Sequence, residues 1–78
     1  VRPARTPRLR VSSGLSNGLR EAREQHGWTQ GELAERVGVS RKTINTVENG
    51  IFVPSTVIAL KIARACDTSV ESLFWLED

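Results

Sequence analysis

From Leu15 onward, apolar residues recur three and four positions apart, with charged and polar residues between them. In "LSNGLREAREQHG" the repeat is Leu15, Leu19 and Ala22. In "WTQGELAERVG" it is Leu33, Ala34 and Val37, and in "VSRKTINTVENG" it is Val39, Ile44 and Val47. "TVIALKIARAC" carries Ile58, Leu60, Ile62 and Ala63 as its buried set, and "VESLFWLED" carries Val70, Leu73 and Phe74. The spacing predicts five short helices and no strand, an all-α compact five-helix bundle.

Start and stop residues sharpen these limits. Thr29 with Glu32 three positions later has the form of a capping box, and Trp28 with Leu33 the form of a hydrophobic staple. Ser40 caps the next helix, with Val39 and Ile44 as its staple. Ser55 and Ser69 open the fourth and fifth helices. Gly27, Gly38 and Gly50 stand where helices end, and "IFVPS" is a linker. His26 falls in the last turn of its helix, where a cation suits the helix dipole; it reads as a surface residue.

The 78 residues amount to one small domain, for which a helical bundle or an oligomer is the expected route to stability. No apolar run approaches the ~20 residues of a membrane span, and nothing behind the basic start resembles a signal peptide. Cys66, the single cysteine, excludes an internal disulfide and reads as a small buried hydrophobe. Net charge is +2, but four arginines (Arg2, Arg5, Arg8, Arg10) and no acids lie within residues 1–14. The remainder holds seven basic against nine acidic side chains. Residues 1–14, with two prolines and no apolar period, read as a basic arm on a folded body spanning 15–78. That body is no general polyanion binder; any nucleic-acid contact must be local, with Arg8 and Arg10 as arm contacts.

The third predicted helix has an unusual polar side. On a wheel at ~100° per residue, Ile44, Val47 and Glu48 face inward. Lys42, Asn45, Thr46 and Asn49 face outward, with Arg41 and Thr43 on the flanks. These outward side chains are types that hydrogen-bond to nucleic acid. The preceding turn has the features that a steep helix crossing needs. Gly38 makes a tight turn, Ala34 is small at the crossing, Val39 plugs the turn, and Ile44 and Val47 hold the second helix on the first.

"TQGELAERVGVSRKTINTVENG", together with "LREARE", "ALKIA" and "SVESLFWLE", closely resembles the phage-repressor and Cro-like (XRE-type) helix-turn-helix family. The likeness runs from about Leu19 to Leu76. It implies a lambda-repressor-like five-helix domain that binds operator DNA as a dimer, with the third helix in the major groove. Arg41, Lys42, Asn45 and Thr46 are then the expected base readers. Arginine and lysine suit guanine, asparagine suits adenine, and the threonine methyl suits thymine. The resemblance assigns Gln30, Thr43 and Asn49 to phosphates, which fix register without reading sequence. It also suggests Arg23 as the partner of the inward Glu48. Gly31 departs from the family, where a better helix former is usual.

Two recognition helices one DNA turn apart require a two-fold partner, and Phe74, Trp75 and Leu76 are the expected dimer surface, with Val57 and Phe52 as weaker candidates. Nothing in the chain has the form of a nucleophile with its base, a metal site or a phosphate loop. The expectation is a cytoplasmic transcriptional regulator without cofactor or enzymatic activity. The alternatives are an antitoxin bound to its toxin, a restriction–modification controller, and an interaction module that has lost DNA binding.

Overall fold

Serine and threonine caps set the helix limits seen in the computed structural model, which describes residues 14–77. The arm with Arg8 and Arg10, and Asp78, lie outside the described residues. In chain order the elements are β1 (Leu15–Asn17), α1 (Leu19–Gln25), α2 (Gln30–Val37), α3 (Arg41–Glu48), α4 (Thr56–Ala65), α5 (Val70–Leu73) and β2 (Phe74–Leu76). At α2 the capping box is complete: Thr29 Oγ1 accepts from the Glu32 amide, and the Glu32 side chain accepts from the Thr29 amide. Ser40, Ser55 and Ser69 each accept from the amide three residues on. Gly38 ends α2 in the left-handed conformation, φ 88°, which a side chain would strain.

The core is one cluster. Leu19, Leu33, Ile44, Val47 and Ile62 are fully buried, one or two from each of the first four helices. Ala34 is buried where α2 meets α3, and its carbonyl accepts the amides of both Gly38 and Val39, so the turn is tied to the helix it follows. Val39 and Trp28 are half-buried against the cluster. No helix among the described residues is long and apolar enough to cross a membrane.

The structure corrects two expectations of the helical pattern. First, Leu15 does not extend α1. It lies in β1, which pairs antiparallel with β2 in the register Leu15–Leu76, Ser16–Trp75, Asn17–Phe74. The ladder continues at both ends, with the Gly18 amide on the Leu73 carbonyl and the Glu77 amide on the Gly14 carbonyl. Strands of three residues are too short to display alternation, and Leu15, Leu19 and Ala22 imitate a helical repeat. Second, Leu60 is exposed. The buried face of α4 is Ala59, Ile62, Ala63 and Cys66, a regular three-four spacing that an almost wholly apolar helix disguises. The chain enters α1 at Gly18, which has no side chain to cap the helix. Asn17 performs that work from one residue earlier, accepting from the Leu19 amide.

Gly31 lies in the first turn of α2, where an added Cβ would come no nearer than 3.8 Å to the Thr29 hydroxyl. Space is available and the backbone is helical, so the glycine only costs conformational entropy. Gly31→Ala is expected to stabilise the domain by about 1 kcal/mol, a rise of about 4–8 °C in melting temperature on thermal denaturation.

Candidate nucleic-acid interface

α3 is held by its inner side and presents its outer side to solvent. Ile44 and Val47 anchor it in the core. Glu48 is the third inward group, and its carboxylate meets the Arg23 guanidinium of α1 in a two-pronged pair, Nε to Oε2 at 2.6 Å and Nη2 to Oε1 at 3.3 Å. The two side chains are only 12% and 4% exposed. Arg23 also donates from Nη1 to the Trp28 carbonyl at 2.9 Å, so one guanidinium joins α1, the α1–α2 turn and α3. The hydrogen bond to Glu48 raises the Arg23 pKa above its ordinary value. A raised pKa means that the stabilisation from charged Arg23 is complete below the ordinary arginine range. It is lost only as pH rises beyond that range.

Gln30, the first residue of α2, completes the inner network. Its Nε2 donates to Glu48 Oε1 at 3.1 Å and to Asn45 Oδ1 at 3.3 Å. Asn49 Nδ2 donates to the same Asn45 oxygen at 2.9 Å. A side-chain NH₂ has two hydrogens, so the Gln30 amide is fully used. In this arrangement it has no hydrogen left for a phosphate, and any anion contact from Gln30 falls to its backbone amide in the first turn of α2. Asn49 is exposed and keeps a second hydrogen. The Thr43 hydroxyl lies 2.9 Å from that of Ser40, and Thr46 Oγ1 donates to the Thr43 carbonyl at 2.9 Å.

Arg41 and Lys42 are exposed, with no hydrogen bond or ion pair among the described residues. They stand as unneutralised cations beside the exposed Asn45. The fold therefore brings Arg41, Lys42, Asn45, Thr46 and Asn49 onto one helix. Gln30 and Glu48 sit behind them as the link to the core.

Asn17 has a part at this interface that its sequence position does not suggest. Besides capping α1, it donates from Nδ2 to the Val47 carbonyl at 2.9 Å, satisfying a carbonyl in the last turn of α3. One asparagine thus joins the start of α1 to the end of α3. The signal available beforehand was only an asparagine next to a glycine at a helix start.

The expected dimer residues separate. Phe74 is 8% exposed and belongs to the core. Trp75, on the other face of β2, is half-buried over Gly18, where an added Cβ would lie 3.5 Å from the indole ring. Its Nε1 donates to Glu77. A strand points successive side chains to opposite faces, so Phe74 is corrected out of the expected dimer surface, while Trp75 remains half-buried on the other face. Leu76 is 64% exposed, and Val53, Val57 and Leu60 are exposed as well. A shallow apolar groove lies alongside, lined by Leu15, Pro54, Ala59, Leu60, Val70 and Phe74.

Elsewhere, the Trp28 ring stacks with His26 at 4.3 Å and carries the Arg36 guanidinium over it at 4.4 Å. His26 Nε2 lies 3.0 Å from the Cys66 carbonyl, so this surface histidine fastens α1 to the end of α4. Burial pushes the Cys66 thiol up, which disfavours the thiolate. No group of three or more His, Cys, Asp or Glu among the described residues could hold a metal ion.

Comparison with known proteins agrees with this geometry. A helix-turn-helix family model matches residues 19–73. The HTH-type transcriptional regulator YgzD of Bacillus subtilis is 42% identical over 64 residues, 82% of this chain and 97% of its own. The crystal structure of the restriction–modification controller protein C.AhdI from Aeromonas hydrophila has a TM-score of 0.66 at 37% identity, covering 69% of this chain and 82% of that one. SinR, a master regulator for biofilm formation solved in complex with DNA, has a TM-score of 0.65 at 27% identity, covering 69% and 87%.

Glu48→Gln keeps the shape of the side chain and removes its charge, leaving the Arg23 cation without a counter-charge. Urea denaturation is expected to show a loss of about 3 kcal/mol, the lower end for a broken buried pair because Arg23 retains some solvent contact. A loss below about 1 kcal/mol would mean that α1 and α3 are joined by the apolar core alone.

Proposed function

Since this chain belongs to the helix-turn-helix family of DNA-binding transcriptional regulators, we propose that α3 lies in the major groove and that Arg41, Lys42, Asn45 and Thr46 meet base edges. The observation that carries this reading is the pair of exposed, unneutralised cations on a helix whose opposite side is anchored by Ile44, Val47 and the Arg23–Glu48 pair. A rigid helix with its free donors on one side can hold them at fixed distances from a row of base edges. Thr43, Asn49 and the first amides of α2 serve as phosphate contacts on either side. The family is one of regulators and not of enzymes.

The unit that acts is a homodimer. One α3 spans only a few base pairs, and a two-fold pair presents two helices to half-sites about one DNA turn, ~34 Å, apart. Support for the dimer face comes from Val53, Val57, Leu60 and Leu76, the exposed apolar residues beside the groove under α4. Apolar residues gathered at one surface favour burial against another protein surface. A narrower reading is that the chain controls restriction–modification genes. The likeness to C.AhdI favours it, and such genes adjoining the coding sequence would support it.

Selection of random-sequence duplexes on the purified protein is expected to enrich an inverted repeat with half-sites about one turn apart. Arg41→Ala should relax one position of that motif, whereas loss of a phosphate contact should weaken all sequences alike and flatten the salt dependence. Enrichment of no motif, with binding that vanishes on adding salt, would defeat the reading.

Leu60→Asp places a charge in the apolar surface. Analytical ultracentrifugation is expected to show a dimer for the unaltered protein and a monomer for the variant, with unchanged helical content. A variant that still sediments as a dimer would move the interface elsewhere.

A further inference from the structure

The hydrogen-bonding character of the outer face of α3 is dictated from within. A carboxylate can only accept, so the Gln30 atom 3.1 Å from Glu48 Oε1 must be Nε2, an NH₂ group. The other hydrogen of that group points to Asn45, 3.3 Å away, so the Asn45 atom there must be its oxygen. Asn49 Nδ2 reaches the same oxygen at 2.9 Å. An amide oxygen has two lone pairs, and both are occupied. What exposed Asn45 offers outward is Nδ2, which has no partner among the described residues.

We infer that the Glu48–Gln30–Asn45–Asn49 relay locks Asn45 as a pure hydrogen-bond donor, so that it selects guanine over adenine at the base pair it meets. The inference rests on the reading of α3 as a major-groove helix. Asparagine ordinarily reads adenine with both of its atoms, the oxygen accepting from N6 and the nitrogen donating to N7. Here the oxygen is already saturated. An adenine N6 hydrogen approaching it must displace Gln30 or Asn49, and Gln30 is tied to a buried carboxylate that is itself tied to Arg23. Guanine requires no such displacement, because N7 and O6 are both acceptors and the two hydrogens of Nδ2 can serve them. Thymine O4 offers a single acceptor and satisfies half of the group. Arg41 and Lys42 are donors only, so the two cations and Asn45 all ask for acceptors. The matching half-site is therefore rich in guanine at the positions these three residues cover.

The test selects random duplexes on the unaltered protein and on Asn45→Ala. The position whose preference relaxes in the variant is the one that Asn45 reads; the side chain is exposed and outside the core, so the variant keeps its fold, which a melting curve checks. Competition titrations at that position are expected to favour G·C over A·T by about tenfold. A second variant, Gln30→Ala with Asn49→Ala, frees the oxygen and is expected to move the preference at that position toward adenine. Adenine preferred by the unaltered protein overturns the inference, as does a motif in which no position relaxes in Asn45→Ala. A guanine preference that persists in the double variant also overturns it, since the relay is then not its cause. In each of these cases the enriched motif survives, and with it the regulator reading. An unaltered protein that enriches no motif at all defeats both.

Discussion

The pairing of Arg23 with Glu48 is the constraint on which the rest of this small domain depends. It sets a charge of each sign at a largely shielded contact between α1 and α3, where either alone would be costly. That arrangement constrains the relative position of α1 and α3, because the pair is two-pronged and Arg23 is also committed to the Trp28 carbonyl. Apolar packing within the core cluster tolerates some sliding. A forked hydrogen-bonded pair does not. The core supplies the cohesion of the domain, and the pair supplies the angle and register at which α3 is shown to solvent.

From that pair outward, polarity is transmitted one bond at a time. Glu48 orients the Gln30 amide, and Gln30 orients Asn45. Specificity at a surface residue is then partly the property of a buried one. Composition of the surface alone would miss this, since asparagine is equally able to donate and to accept until its neighbours decide.

Much of the architecture was legible in local chemistry. The caps at Thr29, Ser40, Ser55 and Ser69 and the turn at Gly38 act over three or four residues, so their effect can be read from spacing. Glu48 was legible as an inward acid because the wheel places it beside Ile44 and Val47. Contacts between distant segments were less so. β1 and β2 exist only because the two ends of the fold meet, and nothing in "LSN" or "FWL" taken singly announces a strand. Leu60 misled because α4 is apolar nearly all round, which leaves the periodicity without contrast. Phe74 and Trp75 read together as a dimer surface on a helix, whereas the pleat of β2 sends one into the core and the other over Gly18. The side-chain bonds of Gln30 to Glu48 and Asn45 could not be read from spacing, because they depend on partners in another helix.

The β1–β2 ladder also bears on how the domain comes into being. Its bonds, from Gly18 to Leu73 and from Glu77 to Gly14, join the first described residues to the last. Every helix among the described residues lies between them. Ring closure over so long a segment is entropically the most demanding contact in the fold, and slow for the same reason. A nascent chain can coil α1, α2 and α3 as they leave the ribosome, but Leu73 and Phe74, which belong to the same hydrophobic cluster as Leu19, are synthesised only after α4. The regulator thus acquires its finished core only once β2 has been made, and a polypeptide cut short before β2 is left with an open seam along β1, the start of α1 still fastened by Asn17.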